Sequence, residues 1–421
     1  MDFHGNFDRN IKINLLVYKL KVLFSNLVLL CKVAWEALKG RWSGPGERWE
    51  SEVEFSLRLV NWYSGASAAT LVNLGLKLGL FDHLSELAER PASAAAIADA
   101  LRLKERYVRE WLDALVVFRV VETDASNALY WLPAHRARSL ATSGRPKLAL
   151  LNGADLREHN YMHFLGYMTR MCADVQDDVE RCFRSDGPRG IPYSRYDDFH
   201  RQFQVAEEAR HNSALLAKFV PNVYEGLAPQ LEEGMEHLDV ACGTALVSRI
   251  LAARYPNSRF YGVDLGEQGI QIAKEKTERE GLTNVELVLG DATRLPDEWA
   301  NKFDFVTMFF SLHDMCRPDL ALEQAYKVLK PGGMLAIQDP IGHSNVHYNK
   351  IHPKSVMWYT ASVFHCLPVA MVEEGSMGLG TACGIQLMSA LVERSRFRVL
   401  KAEVGGPTAS DSNTIVATKP V

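Results

Sequence analysis

The 421-residue sequence lacks several features that would quickly assign it to a class of protein. Its seven cysteines form no Cys-x-x-Cys pair, which disfavours a zinc ribbon or a thioredoxin-type redox motif. No apolar run reaches the roughly 18 residues that a membrane-spanning helix needs. The 47 basic and 51 acidic side chains give a net charge of −4, so no excess of positive charge indicates a nucleic-acid binder. Hydrophobic residues make up 47% of the chain, as in globular proteins, and the length predicts two or three domains.

The first region, residues 1–45, is predicted to be an amphipathic extension, because its leucines recur at three- and four-residue steps. Three interpretations remain open for it. The helix packs on its own protein or on a second subunit, it contacts a membrane surface through residues 12–39, or it is a cleaved targeting segment. A Gly/Pro-rich stretch, Gly40 to Glu47, follows and is predicted to be a linker.

Residues 50–140 are predicted to form a mostly helical winged-helix domain that serves in dimerisation. Ser93 is a candidate helix cap, and a second helix is expected over Lys104 to Phe118. Two short strands, Val120–Glu122 and Leu129–Leu132, follow it across a polar turn. The side chains expected to face inward from the second helix are Val108, Trp111, Leu112 and Leu115. Residues 141–235 are predicted to be a helical linker that covers the substrate.

From residue 236 onward, short apolar strands alternate with helical segments, which predicts an α/β fold with a parallel, Rossmann-like sheet. The last two strands are separated by a Gly/Pro/Ser turn and are expected to form a C-terminal antiparallel hairpin. The predicted strands are His237–Ala241, Arg259–Val263, Val285–Leu289, Phe303–Phe309, Met334–Gln338, Phe397–Val404 and Asn413–Thr418.

The stretch LDVACGTALVSRIL contains a strand that ends near Asp239, a tight loop around Gly243 and a helix that begins near Ala245. A helix N-terminus presents unpaired N–H groups that favour an anionic ligand. A second strand ends at Asp264, where a carboxylate can accept hydrogen bonds from ribose hydroxyls. A third strand ends in GDA, which places Asp291 for contact with an adenine amino group.

Two classes of cofactor compete for this loop. A nicotinamide or flavin site would favour Gly-x-Gly-x-x-Gly, whereas the loop has the single glycine Gly243. S-adenosylmethionine has no phosphates and presents only a carboxylate and an adenosine, so fewer close backbone contacts are needed. The single glycine together with Asp264, Asp291 and the later KPGG turn therefore favours S-adenosylmethionine.

These motifs resemble those of class I S-adenosylmethionine-dependent methyltransferases with an N-terminal winged helix, a bacterial and mycobacterial family with invertebrate relatives. The resemblance covers roughly residues 50–421 and rests on KLGLFDHL, KERYVREWLDALV, IPYSRYDDFH, FFSLHDM and FHCLPVAMVEEGSMGLGTACG. It implies that residues 236–421 form the methyltransferase domain. The cofactor-binding residues that we expect on this basis are Asp239, Ala241, Gly243, Asp264, Leu265, Asp291, Ala292 and Phe310.

The sequence departs from the family pattern at two places. The family usually has DVGCGxG, whereas here Ala241 and Ala245 replace glycines. An acidic residue commonly precedes the family's LHDM segment, where this chain has Phe310. The second change alters the polarity of the expected pocket beside the methyl group.

Methyl transfer is an in-line displacement, so the protein mainly positions and, where needed, deprotonates the acceptor. His313 and Asp314 follow the fourth strand, where reactants meet in a doubly wound sheet. His313 is a candidate base or substrate contact, because an imidazole can accept a proton at neutral pH, and its alternative is a structural hydrogen bond. Asp314 is expected to orient His313 or to cap the next helix.

The insertion at residues 340–384 is rich in histidine and aromatic side chains. His343, His347 and His352 suggest a metal site, but no carboxylate has matching spacing, and we predict no metal. The substrate-contacting residues that we expect are Tyr193, Tyr196 and His365.

The sequence thus predicts a cytoplasmic, homodimeric methyltransferase that uses S-adenosyl-L-methionine and a small-molecule acceptor, with oxygen favoured over sulfur or nitrogen. Dispersed cysteines fit a reducing compartment. The alternatives are a winged-helix regulator that binds S-adenosylmethionine, a nucleic-acid or protein methyltransferase, and a catalytically silent scaffold. No nucleic-acid partner is expected, because the second winged-helix helix carries acids and a broad apolar face.

Overall fold

The computed structural model of the protein describes residues 42–44, 47–48, 50–142, 162–196, 199–201, 203, 215–350, 355–381, 383–405 and 412–421. The predicted amphipathic segment, residues 12–39, lies outside these ranges, as does His352. None of the described helices has the length and apolar character to cross a bilayer. The chain divides into two units at Leu71.

In the first unit, strand β1 (Trp42–Gly44) pairs antiparallel with β2 (Glu47–Arg48). This short hairpin occupies the stretch that the sequence predicts to be a linker. The helix Glu52–Lys77 begins at a capping box, in which the Ser51 hydroxyl accepts from the Glu54 N–H and the Glu54 carboxylate accepts from the Ser51 N–H. The unit boundary falls within this helix.

The winged-helix region of the second unit follows the predicted pattern closely. The Ser93 hydroxyl caps the helix Ala94–Ala100 by accepting a hydrogen bond from the Ala96 N–H. Strands β3 (Glu122–Thr123) and β4 (Tyr130–Trp131) pair antiparallel and form the wing. The four side chains expected to face inward are all buried. The helices of this region are Leu80–Glu86, Ala94–Ala100, Glu105–Val117 and Ala134–Leu140.

The described part of the following region is mostly helical. Its α-helices are Met162–Asp174, Gln176–Cys182, Val220–Val223 and Leu227–Glu233, with a 3₁₀ turn at Tyr193–Arg195 and a π-helical turn at Leu215–Phe219.

The C-terminal part of the chain is built on a seven-stranded sheet with the order β10-β11-β9-β8-β5-β6-β7. Strands β5 to β9 run parallel, and β10 and β11 form the predicted antiparallel hairpin at one edge. The strands are β5 (Glu236–Val240), β6 (Arg259–Asp264), β7 (Val285–Leu289), β8 (Phe303–Phe309), β9 (Leu329–Pro340), β10 (Arg398–Val404) and β11 (Ser412–Thr418). Strand β9 is longer than predicted, because it takes in the KPGG segment.

Two hydrophobic cores lie on opposite faces of this sheet, because successive strand residues point to alternate sides. On β8, Val306 and Met308 belong to one core, whereas Phe305 and Phe309 belong to the other. The helices of this domain are Leu246–Arg254, Glu267–Arg279, Pro318–Val328, Val346–Asn349, Ser355–Ala361, Leu367–Ala370 and Gly384–Arg394. Shorter turns lie at Asp297–Trp299, Leu312–Asp314 and Ser362–Cys366.

Candidate active site

The loop between β5 and the helix Leu246–Arg254 is held by Asp264 at the end of β6. One carboxylate oxygen of Asp264 accepts the Gly243 N–H at 2.7 Å, and the other accepts the Gly266 N–H at 2.7 Å. Each oxygen can accept a further hydrogen bond, so the carboxylate remains compatible with a ribose diol. Asp264 therefore fixes the loop and faces the adjoining cavity.

The two alanines that replace family glycines have left-handed backbone conformations. Ala241 has φ of 56° and Ala245 has φ of 52°, and Gly243 between them has φ of 53°. A Cβ is disfavoured in this region of φ/ψ space, so a glycine would adopt it at lower cost. The two alanines therefore adopt these backbone conformations at a local cost in strain.

Asp239 lies behind the loop and is buried. It accepts a hydrogen bond from the Thr307 hydroxyl at 3.1 Å, and the Ser248 hydroxyl lies 3.4 Å from its other oxygen. These contacts tie β5 to β8 and to the helix that follows the loop. The other seven predicted cofactor residues line the cavity: Ala241, Gly243, Asp264, Leu265, Asp291, Ala292 and Phe310.

The cavity has a volume of about 390 Å³, which is in the range of small-molecule sites. One part is formed by the carboxyl ends of β5, β6 and β7. The other part has an apolar and aromatic wall that includes Met168, Phe199, Met315, Met357, Trp358 and Val369. The cavity can therefore hold an adenosyl group beside an apolar acceptor.

His313 lies on the turn that follows β8 and is almost completely buried. Its Nδ1 is 2.8 Å from Asp339 Oδ1, and its Nε2 is 3.0 Å from Asp314 Oδ1. Burial opposes charge on the imidazole, but the two carboxylates outweigh it and hold the pKa of His313 well above its usual value. The His313 ring is therefore protonated readily, with one nitrogen facing Asp339 and the other facing Asp314.

Asp314 joins the His313 turn to the segment that contains Tyr193. The Tyr193 hydroxyl donates to Asp314 Oδ2 at 2.9 Å. Burial opposes ionisation of Asp314, yet His313 lowers the pKa of this carboxyl to about 2. Asp314 Oδ1 is buried and has no donor at hydrogen-bonding geometry among the described residues.

His365 lies on the other side of Asp314, with its Nδ1 4.0 Å from Asp314 Oδ2. Phe199 stacks on its ring at 4.2 Å between centroids, and Tyr196 makes an edge contact at 4.6 Å. Burial lowers the pKa of His365 to about 4, so the ring is neutral at neutral pH. Tyr193 and His365 line the cavity, whereas buried Tyr196 supports His365 and donates its hydroxyl to the Phe364 carbonyl.

Sequence reasoning missed three residues of this site. Asp339 could have been predicted from the sequence, because it is an acidic residue at the carboxyl end of β9, the strand beside β8. For Cys366 the sequence offers no signal beyond the family-like FHC. Burial raises the pKa of its thiol to about 11. His200 lies against the turn after β6, so close to Gly266 that a Cβ there would be 2.6 Å from its Nε2.

Two models of known protein families match parts of the chain. Residues 231–381 match the family model of a methyltransferase domain, and residues 66–142 match that of an Rv2258c-like winged HTH domain. The predicted combination of a methyltransferase domain with an N-terminal winged helix is thereby confirmed.

The curated relatives match this chain over only part of their own length. A demethylmenaquinone methyltransferase of Listeria welshimeri is 39% identical over 111 residues, which is 26% of this chain and 47% of the relative. One of Staphylococcus carnosus is 40% identical over 106 residues, or 25% of this chain and 43% of the relative. The chain thus spans about half the length of the curated relatives it matches.

Solved structures resemble the chain over most of its length. Human N-acetylserotonin methyltransferase in complex with SAM superposes with a TM-score of 0.58 at 18% identity, covering 87% of this chain and 98% of the other. PigF with SAH gives 0.62 at 19% identity, covering 86% and 99%. These likenesses confirm the predicted Rossmann-like methyltransferase fold.

Proposed function

We propose that this protein transfers a methyl group from S-adenosyl-L-methionine to a hydroxyl group of a small, partly apolar acceptor. The observation that carries the proposal is the His313–Asp339 pair, 2.8 Å apart, in the same cavity as the Asp264-anchored loop. Bound S-adenosylmethionine supplies a methyl group already activated as a sulfonium. The Gly243 loop, Asp264 and Asp291 would hold it.

The residues of the chain have distinct tasks in this proposal. The apolar wall excludes water and orients the acceptor. His313 takes the hydroxyl proton on Nε2, and Asp339 fixes the ring and stabilises the resulting imidazolium through Nδ1. Because the pKa of His313 is raised, the neutral ring that accepts a proton becomes more abundant as the pH rises. Turnover should therefore rise with pH along a limb above the usual histidine value of about 6.5.

Features of the winged helix support an enzyme over a DNA-binding regulator. On the helix Glu105–Val117, Arg109 pairs with Glu105 at 2.8 Å and Arg106 pairs with Glu110. Arginines that are paired with acids on their own helix are less available to phosphates.

The proposal also includes a cytoplasmic homodimer. Tyr107 and Val117, on the same helix, are large exposed apolar side chains suited to a subunit contact. Light scattering at micromolar concentration tests the dimer, and a monomeric mass would contradict it. Membrane contact through residues 12–39 stays a prediction from the sequence.

The function is tested by calorimetry with S-adenosylmethionine and by transfer of labelled methyl to a library of hydroxylated small molecules. We expect His313→Ala to lower kcat by about 10²–10⁴-fold while the cofactor Kd stays within about twofold. The matched control is His347→Ala, which changes an exposed histidine of the same domain. No heat with the wild-type protein would indicate a silent relative, and full turnover by His313→Ala would overturn the base role.

A further inference from the structure

We propose that His313, Asp314 and Cys366 form a binding site for one thiophilic divalent cation, such as Zn²⁺, and that the bound cation inhibits methyl transfer. The inhibition rests on the proposed function, whereas the binding of the cation does not. The three side chains come from two segments that meet at the cavity: His313 and Asp314 from the 3₁₀ turn after β8, and Cys366 from the π-helical turn Ser362–Cys366.

The spacing of the donor atoms suits a small cation. One ligand atom from each of the three side chains lies within 4.8 Å of the other two. Tetrahedral Zn²⁺ with bonds of about 2.0–2.3 Å holds its ligand atoms roughly 3.5 Å apart. Small side-chain rotations would therefore close the group around an ion, with the fourth position left toward the cavity.

The surroundings of the group are those that metal ligands require. A ligating histidine usually donates its other ring N–H to a carboxylate, and His313 Nδ1 lies 2.8 Å from Asp339 Oδ1. A ligating carboxylate is usually hydrogen-bonded in turn, and Asp314 Oδ2 accepts from the Tyr193 hydroxyl. Asp314 Oδ1 is buried and faces His313 Nε2 at 3.0 Å, so two of the atoms that would bind the ion already lie next to each other.

The donor set determines the class of cation. Imidazole, carboxylate and thiolate together favour Zn²⁺ and similar borderline metals. Mg²⁺ and Ca²⁺ prefer shells of oxygen atoms alone and should bind poorly. This group differs from His343, His347 and His352, for which the sequence predicts no metal.

Binding would inhibit because the cation uses the atom that the reaction needs. Coordination forms bonds to His313 Nε2, Asp314 Oδ1 and Cys366 Sγ. It releases the thiol proton and any proton on Nε2 to solvent. With Nε2 coordinated, His313 has no lone pair to receive the acceptor proton.

The binding test is titration with Co²⁺, a spectroscopic substitute for Zn²⁺, followed by absorbance. We expect one Co²⁺ per chain, the visible bands of tetrahedral cobalt and a sulfur-to-cobalt charge-transfer band that Zn²⁺ abolishes. Cys366→Ser should remove the charge-transfer band and weaken binding at least about tenfold. Asp339→Asn should keep the band and weaken binding by about 10–100-fold.

The matched control is Cys316→Ser, because Cys316 also lines the cavity but lies outside the three-residue group. Its cobalt spectrum should equal that of the wild type. Circular dichroism of each variant establishes that it is folded, and Asp314→Asn gives a second route to loss of binding. A charge-transfer band that survives in folded Cys366→Ser, or wild-type protein that binds no Co²⁺ stoichiometrically, would overturn the site.

The inhibition is tested separately. Transfer by wild-type protein should proceed in the presence of a chelator, fall with stoichiometric Zn²⁺ and recover when the chelator is restored. If cobalt binds but the chelated protein transfers no methyl group, the proposed function is wrong and the metal site stands. If transfer persists when the site is filled with Zn²⁺, the inhibitory role is wrong.

Discussion

The cavity has a cofactor half, around the Gly243 loop and Asp264, and an acceptor half, around His313 and Asp314. The two halves are built in different ways. The cofactor half uses backbone N–H groups around Asp264, and its residues follow consecutive strands. The acceptor half uses side chains from distant parts of the chain. His313 meets Asp339 across 26 residues, and Asp314 meets Tyr193 across 121 residues.

The acceptor half also shows that charge partners, and not burial alone, decide the state of a buried histidine. His313 and His365 are almost equally buried and both lie beside Asp314. Burial lowers the pKa of His365 to about 4. For His313, burial is outweighed by two carboxylates, so its pKa is raised. The same aspartate therefore adjoins one imidazole with a lowered pKa and one with a raised pKa.

The largest effect on the cofactor half is expected for Asp264→Ala. The change removes two hydrogen bonds to a charged acceptor and frees the Gly243 loop, so cofactor affinity should fall by about 100-fold, or roughly 3 kcal/mol. Calorimetry with S-adenosylmethionine measures it, and Glu267→Ala, at the start of the next helix, is the control. Native affinity in Asp264→Ala would show that the loop is held by other contacts.

A smaller effect is expected for Asp314→Asn, which changes only the acceptor half. Loss of a carboxylate 3.0 Å from His313 Nε2 should lower the pKa of His313. In the proposed mechanism the neutral ring is the active form, so the acid limb of the kcat–pH profile should move to lower pH. Asp319→Asn is the control, since Asp319 pairs with Arg317 instead. An unmoved limb would assign the titration to another group.

The smallest effect is expected for Ala241→Gly in the cofactor half. Glycine adopts the left-handed conformation without strain, which stabilises the folded state, but it also gives the unfolded chain more conformational freedom, which destabilises the folded state. We expect the first effect to be larger, so that the protein is stabilised by about 0.5–1 kcal/mol. Ala245→Gly is the comparison variant, because its methyl group packs against Cys242, Ile270 and Ala273 and its loss offsets the gain. Scanning calorimetry measures both, and a lower Tm for Ala241→Gly would contradict the strain argument.

The sequence by itself determined the elements that depend on neighbouring residues. The strand β7 lies where its apolar pattern predicts, and β10 and β11 pair as the expected hairpin. The cap at Ser93 and the inward face of the helix Glu105–Val117 were also predictable. Each depends on periodicity or on a hydrogen bond over a few residues, which local sequence encodes.

Only the tertiary structure decided the contacts of the acceptor half. Nothing in the spacing of Asp339 shows that it meets His313 Nδ1, and nothing near Tyr193 shows that its hydroxyl reaches Asp314. Likewise, nothing in the sequence shows that the buried Asp239 accepts a hydrogen bond from Thr307. These relations arise when the order of strands brings distant segments to one edge of the sheet, and the pKa of each group then depends on which charges it meets there.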